Sequence, residues 1–216
     1  YLAGELEGEA LMFMVSDTLR VGLLTDHVPV AKAPSLITQK RIFSKVKAME
    51  ASLIRDFGIQ KPRIAVLGIN PHSGDEGVIG SEDDEVLKPA LAKLADAGHL
   101  VFGPYAADTF FASKNYQSFD AVLAGYHAQG LIPCKTLAFG KGVNFTAGLS
   151  RVRTSPDHGT AFDIAGKGIA DPASFGEAVF TGIRIFRQRT EYEALSSNPL
   201  QKQKIKRGPR PSRHKK

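Results

Sequence analysis

The stretch "KPRIAVLGINPHSGDEGVIGSEDDEVLKPALAKLADAGHLVFGPY" (residues 61–105) runs through strand, loop, helix and strand in that order. "KPRIAVLGIN" is a continuous apolar run of strand length, the pattern of a strand buried on both faces. "SEDDEVLKPALAKLADAG" reads as a helix, with acids in its first turn and Gly98 at its end. "HLVFGPY" then returns to strand. Such a unit implies an α/β sheet with helices on its faces. Ligands in such folds sit beyond the carboxyl ends of the strands.

The same alternation extends outward in both directions. Upstream, "LMFMVSD" and "LRVGLLT" read as two short strands joined at Asp17-Thr18. A helix follows, with Ile42, Phe43, Val46, Met49, Leu53 and Ile54 at helical spacing, Thr38 as N-cap and Gly58 as stop. Downstream, "DTFFASKNYQSF" predicts a short helix and "DAVLAGYH" a buried strand. "QGLIPCKTLAF" predicts a helix broken near Pro133, and "GVNFTAG" a strand. A last helix is expected from about Asp171 to Leu195. "RTSPDHGTAFDIAGKGIADP" (residues 153–172) is too polar for a buried strand and too rich in glycine for a helix interior, which makes it a binding loop on a rigid support.

Composition narrows the function classes. The chain has 216 residues, 43% hydrophobic and 23% charged, ordinary for a globular protein. Its lone Cys134 excludes a disulfide framework within one chain and fits a reducing compartment. With no membrane-length apolar run and no signal-peptide pattern, the cytoplasm is the expected location. The net charge of +6 is carried by the tail, since residues 201–216 hold eight Lys or Arg and no acid. No stacking aromatics accompany those charges, which weighs against nucleic acid as a partner.

Three of six histidines stand at element ends: His27, His72 and His127. Three neutral imidazoles with one open position suit zinc and related divalent ions. Their spacings of 45 and 55 residues carry no local metal signature, and a histidine taken singly is more often a surface or hydrogen-bonding residue. Lys135, Asn144 and Arg153 stand nine residues apart, and Lys and Arg suit carboxylates and phosphates. No phosphate-binding GxxxxGK[ST] and no GxGxxG follows any strand. Cys134, beside Pro133, offers little as a nucleophile.

Five ordered blocks, "VLGINPHSGDEG", "GPYAADTFF", "DAVLAGYHAQGLIPCK", "VNFTAG" and "RTSPDHGTAFDIAGKGIADP", resemble the 4-hydroxythreonine-4-phosphate dehydrogenase family of the vitamin B6 pathway. The resemblance extends from about Glu7 to Arg189. It implies a layered α/β/α fold similar to the isopropylmalate and isocitrate dehydrogenases, with two subdomains and the active site in the cleft between them. It also implies a divalent metal, zinc with magnesium or cobalt as alternatives, held by His27, His72 and His127 in a homodimer with both subunits contributing. Lys135, Asn144 and Arg153 fall on the family's substrate-contacting positions. His158, Gly159, Thr160 and Ala161 fall on its loop for the adenosine end of NAD or NADP. The implied reaction is oxidation of a secondary hydroxyl, hydride passing to NAD, followed by loss of CO2 to give 3-amino-2-oxopropyl phosphate.

The chain departs from the family pattern at Ala128, where an Asp is usual, and more mildly at Ala147 and Ser150, where Leu and Pro are usual. It opens on "YLAGELEGEA" without Met. The expectation is therefore the C-terminal portion of a two-subdomain dehydrogenase over residues 1–200, followed by a basic tail at 201–216, with full turnover belonging to the complete chain. Two alternatives stand beside this reading. One is a paralogue oxidising another phosphorylated hydroxy acid of the phospho-threonate or phospho-erythronate type. The other is a non-catalytic relative.

Overall fold

A computed structural model describes residues 10–138 and 140–200. The expectations for the first residues and for the basic tail lie outside them. The elements are β1 (Leu11–Val15), β2 (Arg20–Leu23), α1 (Ala33–Leu36), α2 (Gln39–Phe57), β3 (Ile64–Leu67), α3 (Lys88–Asp96), β4 (Val101–Tyr105), α4 (Ala107–Ala112), β5 (Ala121–Ala124), α5 (His127–Leu137), β6 (Val143–Ala147), β7 (Thr154–Pro156) and α6 (Ala173–Ser196). The strands form one seven-stranded sheet in the order β4-β3-β5-β2-β1-β6-β7. Strands β4, β3, β5 and β2 are mutually parallel. The hairpin β1–β2 reverses direction, and β6 and β7 continue antiparallel. The α/β class read from the sequence is the class observed.

Local chemistry sets the element ends. The Thr38 hydroxyl accepts a hydrogen bond from the Arg41 amide at the start of α2, and Gly58 closes that helix in the left-handed conformation. The cap is worth about 1 kcal/mol. Both faces of the sheet are then covered. Ile42, Val46, Met49 and Leu53 of α2 join Leu87, Leu91 and Leu94 and the residues of α6 on one face. Leu131 and Cys134 of α5 and Phe110 of α4 pack on the other. Strand β2 lies between two close approaches: a Cβ on Gly22 would sit 2.3 Å from Met49, and one on Gly130 would sit 2.7 Å from Leu23. Larger residues at these two positions would force the Met49 and Leu23 side chains to repack.

Three expectations need correction. Helix α5 runs unbroken through Pro133. Burial of Leu131 and Cys134 on the sheet outweighs the lost backbone bond, a cost of ~3 kcal/mol. The helix expected over "DTFFASKNYQSF" ends at Ala112, Lys114 turns left-handed, and a tight turn at Asn115–Ser118 follows. Thr154–Pro156 does form a strand, because it lies half-exposed at the sheet edge, where polar residues and a proline are tolerated.

Candidate functional site

Three adjacent parallel strands, β3, β5 and β2, end at the same edge of the sheet, and each is followed by one of the three candidate histidines. Two side chains fasten this edge. The Thr25 hydroxyl donates to the Gly125 carbonyl at 2.8 Å, tying the segment after β2 to the segment after β5. The Gln129 amide accepts from the Gly125 N–H and donates to the Gly68 carbonyl, each at 2.7 Å, tying β5 to β3.

On this frame His127 is the first residue of α5 and His27 sits in the loop after β2. Their rings lie 5.3 Å apart, centroid to centroid, tilted by 49°. The His127 Nδ1 is buried without a hydrogen-bond partner. Burial, then His27, then Lys135 holds the His127 imidazole below its ordinary pKa, so the ring is neutral near neutral pH and its nitrogen lone pair is available. An imidazole with an orphaned buried nitrogen, lying beside a second imidazole, fits a divalent-metal donor pair. His72 is not part of the pair. It is exposed, and with Asn70, Asp108, Tyr126, Ala128 and Gln129 it lines a cavity of about 510 Å³. Among the described residues no group of three or more His, Cys, Asp or Glu is arranged to hold a metal.

A polar strip continues from the imidazoles along the α5 side of the sheet. Asn144 stands opposite Met14 and Ser155 in neighbouring strands, and Thr146 opposite Met12. Cross-strand partners share a face, and Met14 packs with Leu131 and Cys134 of α5. The Asn144 Oδ1 is buried without a partner. Arg153 donates to the Thr146 hydroxyl at 3.2 Å. The Lys135 ammonium reaches Asp157 Oδ1 at 3.2 Å, half exposed. A surface pair of this kind contributes about 0–1 kcal/mol, so an incoming anion can replace it. Lys135 and Asp157 both act on the His127 imidazole, so these two residues of the strip lie within electrostatic reach of it. Lys135, Asn144 and Arg153 thus share one face.

His158, Gly159, Thr160 and Ala161 are exposed on the loop between β7 and α6. Among the described residues the His158 ring bonds to the neighbouring Gly159 carbonyl alone, at 2.8 Å. Cys134 is buried, and burial pushes its thiol up to about 12, which removes it as a nucleophile. Sequence reading missed Gln129, Thr146 and Asp157, whose partners Gly68, Arg153 and Lys135 lie on other segments of the chain. It read Asp83 only as a helix-start acid, whereas Asp83 is fully buried beneath the His72 turn. An acid shortly after a glycine-rich loop was the available signal.

Comparison with known proteins returns one family, described as "Pyridoxal phosphate biosynthetic protein PdxA", matching residues 1–182. A 4-hydroxythreonine-4-phosphate dehydrogenase from Bacteroides thetaiotaomicron is 49% identical over 90% of this chain and 54% of its own length. The crystal structure of an enzyme of that name from Klebsiella pneumoniae superposes with a TM-score of 0.74 at 38% identity, over 84% of this chain and 55% of that one. A terephthalate 1,2-cis-dihydrodiol dehydrogenase from Burkholderia xenovorans superposes with a TM-score of 0.65 at 31% identity, over 81% of this chain and 55% of that one. The chain spans about half the length of these relatives.

Proposed function

The chain belongs to the PdxA family of pyridoxal phosphate biosynthetic proteins, and from that premise we propose that it serves the NAD-dependent oxidation and decarboxylation of 4-hydroxy-L-threonine 4-phosphate. The products are 3-amino-2-oxopropyl phosphate, CO2 and NADH. The observation that supports this reading is the meeting of an imidazole pair with a strip of anion-binding side chains at the carboxyl edge of one sheet.

In this reading His27 and His127 hold a divalent cation, zinc by its preference for imidazole, and His72 of a second copy completes the donor set in a homodimer. The cation, when bound, supplies positive charge at the oxygen that loses its proton and later at the carbonyl. The rest falls to this chain's own residues. Arg153 and Lys135 grip the phosphate by charge-assisted bonds, Lys135 leaving Asp157 to do so. Asn144 turns its free amide oxygen toward a donor of the substrate. Holding both ends of the substrate fixes the carbon that loses hydride against the nicotinamide. The loop at His158–Ala161 receives the adenosine end of NAD or NADP. The cytoplasm is the proposed location, and no helix among the described residues is long and apolar enough to cross a membrane.

A second reading is favoured by Ala128. It lines the cavity beside His72 at the position where the family's usual Asp would place a carboxylate. A structural neighbour named for a different substrate, a dihydrodiol, is consistent with a paralogue, here one acting on another phosphorylated hydroxy acid. Calorimetric titration of the zinc-loaded protein with 4-hydroxy-L-threonine 4-phosphate and with 4-phospho-erythronate separates the two. Tighter binding of the first is expected. Arg153→Met should weaken it by about 1.5–3 kcal/mol, roughly ten- to hundredfold. Equal binding by the variant, or preference for the sugar acid, overturns the primary reading.

A further inference from the structure

The turn that carries His72 is unlike any other segment of the fold. His72, Ser73, Gly74, Asp75 and Glu76 have φ of 51, 53, 87, 45 and 54°, and Gly77 follows at 92°. Side-chain-bearing residues occupy the left-handed region singly, and a run of them persists only where the surroundings over-determine it. Here the surroundings are Asp83. Its side chain is wholly buried, and both its oxygens are spent on the foot of the turn. Oδ1 accepts from the Ile69 amide at 2.8 Å. Oδ2 accepts from the Asn70 amide at 2.9 Å and from the Asn70 side chain at 3.2 Å. The Asn70 side chain donates also to Glu82 at 2.8 Å. Above this foot the turn closes on itself through the Ser73 amide to Asn70 O at 3.1 Å and the Ile79 amide to Gly74 O at 3.0 Å. The fastening ends two residues before an exposed imidazole.

We propose that Asp83 is the positioning residue for His72: by clamping the backbone of Ile69 and Asn70 it holds a left-handed turn whose purpose is to present one imidazole, in one orientation, to a cation outside its own subunit. The inference rests on the metal reading above. Strand β3 is paired on both sides, and this carboxylate takes the two amides that follow it, Ile69 and Asn70, where the chain leaves the sheet toward His72. The two imidazoles of one subunit are already placed by β2 and α5. The third, supplied from another copy, makes no side-chain hydrogen bond among the described residues, so the turn orients it.

Cobalt(II) titration of the full 216-residue chain tests this, with affinity and ligand-field spectrum read together and thermal melting in parallel. His72→Ala is expected to lower affinity and change the spectrum. Asp83→Ala is expected to lower cobalt affinity about ten- to hundredfold, the usual cost of losing a residue that orients a ligand, and to shift the spectrum toward that of His72→Ala. Asp83→Asn keeps one acceptor oxygen and should fall between. Should Asp83→Ala be unfolded at the titration temperature, Asp83→Asn and Asn70→Ala are read instead, each expected to lower affinity and alter the spectrum. A folded Asp83 or Asn70 variant with unchanged affinity and spectrum, beside an altered His72→Ala, overturns the positioning role and leaves the metal reading standing. A His72→Ala protein that binds cobalt as the parent does overturns the metal reading, and this inference with it.

Discussion

The turn at residues 70–80 and the loop at 157–170 read alike on paper: polar, glycine-rich, each with one histidine, each following a strand. In space they are opposites. The first is fastened by a buried carboxylate and by Gly74, where a Cβ would stand 2.6 Å from the Gly80 carbonyl. The second has glycines at 159, 166 and 168 with nothing within 4 Å of a Cβ position. Beyond the Lys135–Asp157 pair at its start, its hydrogen bonds are local, from Ile164 to Ala161, Ala165 to Phe162 and Lys167 to Ile164. One is preorganised, which suits presenting a single ligand atom at fixed geometry. The other is open, the kind of segment whose shape a ligand can set by supplying contacts it lacks.

The open loop nonetheless hangs from a rigid root. Arg189 of α6 donates to Asp56 of α2 at 2.9 Å and to the carbonyls of Leu149 and Ser150, each at 3.2 Å. The Thr154 hydroxyl donates to the Ala178 carbonyl at 2.9 Å. The largest effect is expected from Asp56→Ala, which strands the buried Arg189 guanidinium without its carboxylate. A loss of about 3–5 kcal/mol in urea unfolding should follow, with faster amide exchange across 148–157. Unchanged exchange there would mean that the root is held by something other than this pair.

The contrast itself is broken or sharpened by a pair of glycine substitutions. Gly74→Ala places a methyl group against backbone at φ 87°, and about 2–3 kcal/mol of destabilisation is expected. Gly166→Ala faces the same left-handed backbone, φ 76°, but open space, so only ~1 kcal/mol is expected. Equal losses, read from urea midpoints at constant slope, would show that the two segments are held alike.

How much of this was legible beforehand follows from the range of the interactions. The strands and long helices declared themselves by apolar periodicity, because burial on one face or two leaves a local pattern: Ile42, Val46, Met49 and Leu53 were read correctly as one side of α2. His27, His72 and His127 could be placed at one sheet edge because each follows a strand. That His27 and His127 touch while His72 stands apart could not be read, since it depends on the strand order β3-β5-β2 and on Gln129 and Thr25 crossing between segments. The Asp83 clamp was hidden for a related reason. Its bonds are to backbone N–H groups, which every sequence offers equally. The edge strand Thr154–Pro156 was missed because half-exposed edges carry no apolar signature.

The smallest effect on stability, and the most informative about the open loop, belongs to Phe162. Its side chain is 81% exposed in a segment that buries none of its neighbours, so Phe162→Ala should move the unfolding free energy by no more than about 0.5 kcal/mol. An aromatic ring held in water at that cost has a use only when something covers it. If the loop folds over the adenosine end of a dinucleotide, the ring gains that cover on binding. Its removal should then weaken NAD by about 1–2 kcal/mol, five- to thirtyfold, in a calorimetric titration. Gly74→Ala, acting on the fastened turn, should leave NAD affinity alone. Equal NAD affinity for the parent and Phe162→Ala would mean that the loop stays open around its ligand, and the division between a preorganised turn and a ligand-shaped loop would lose its second half.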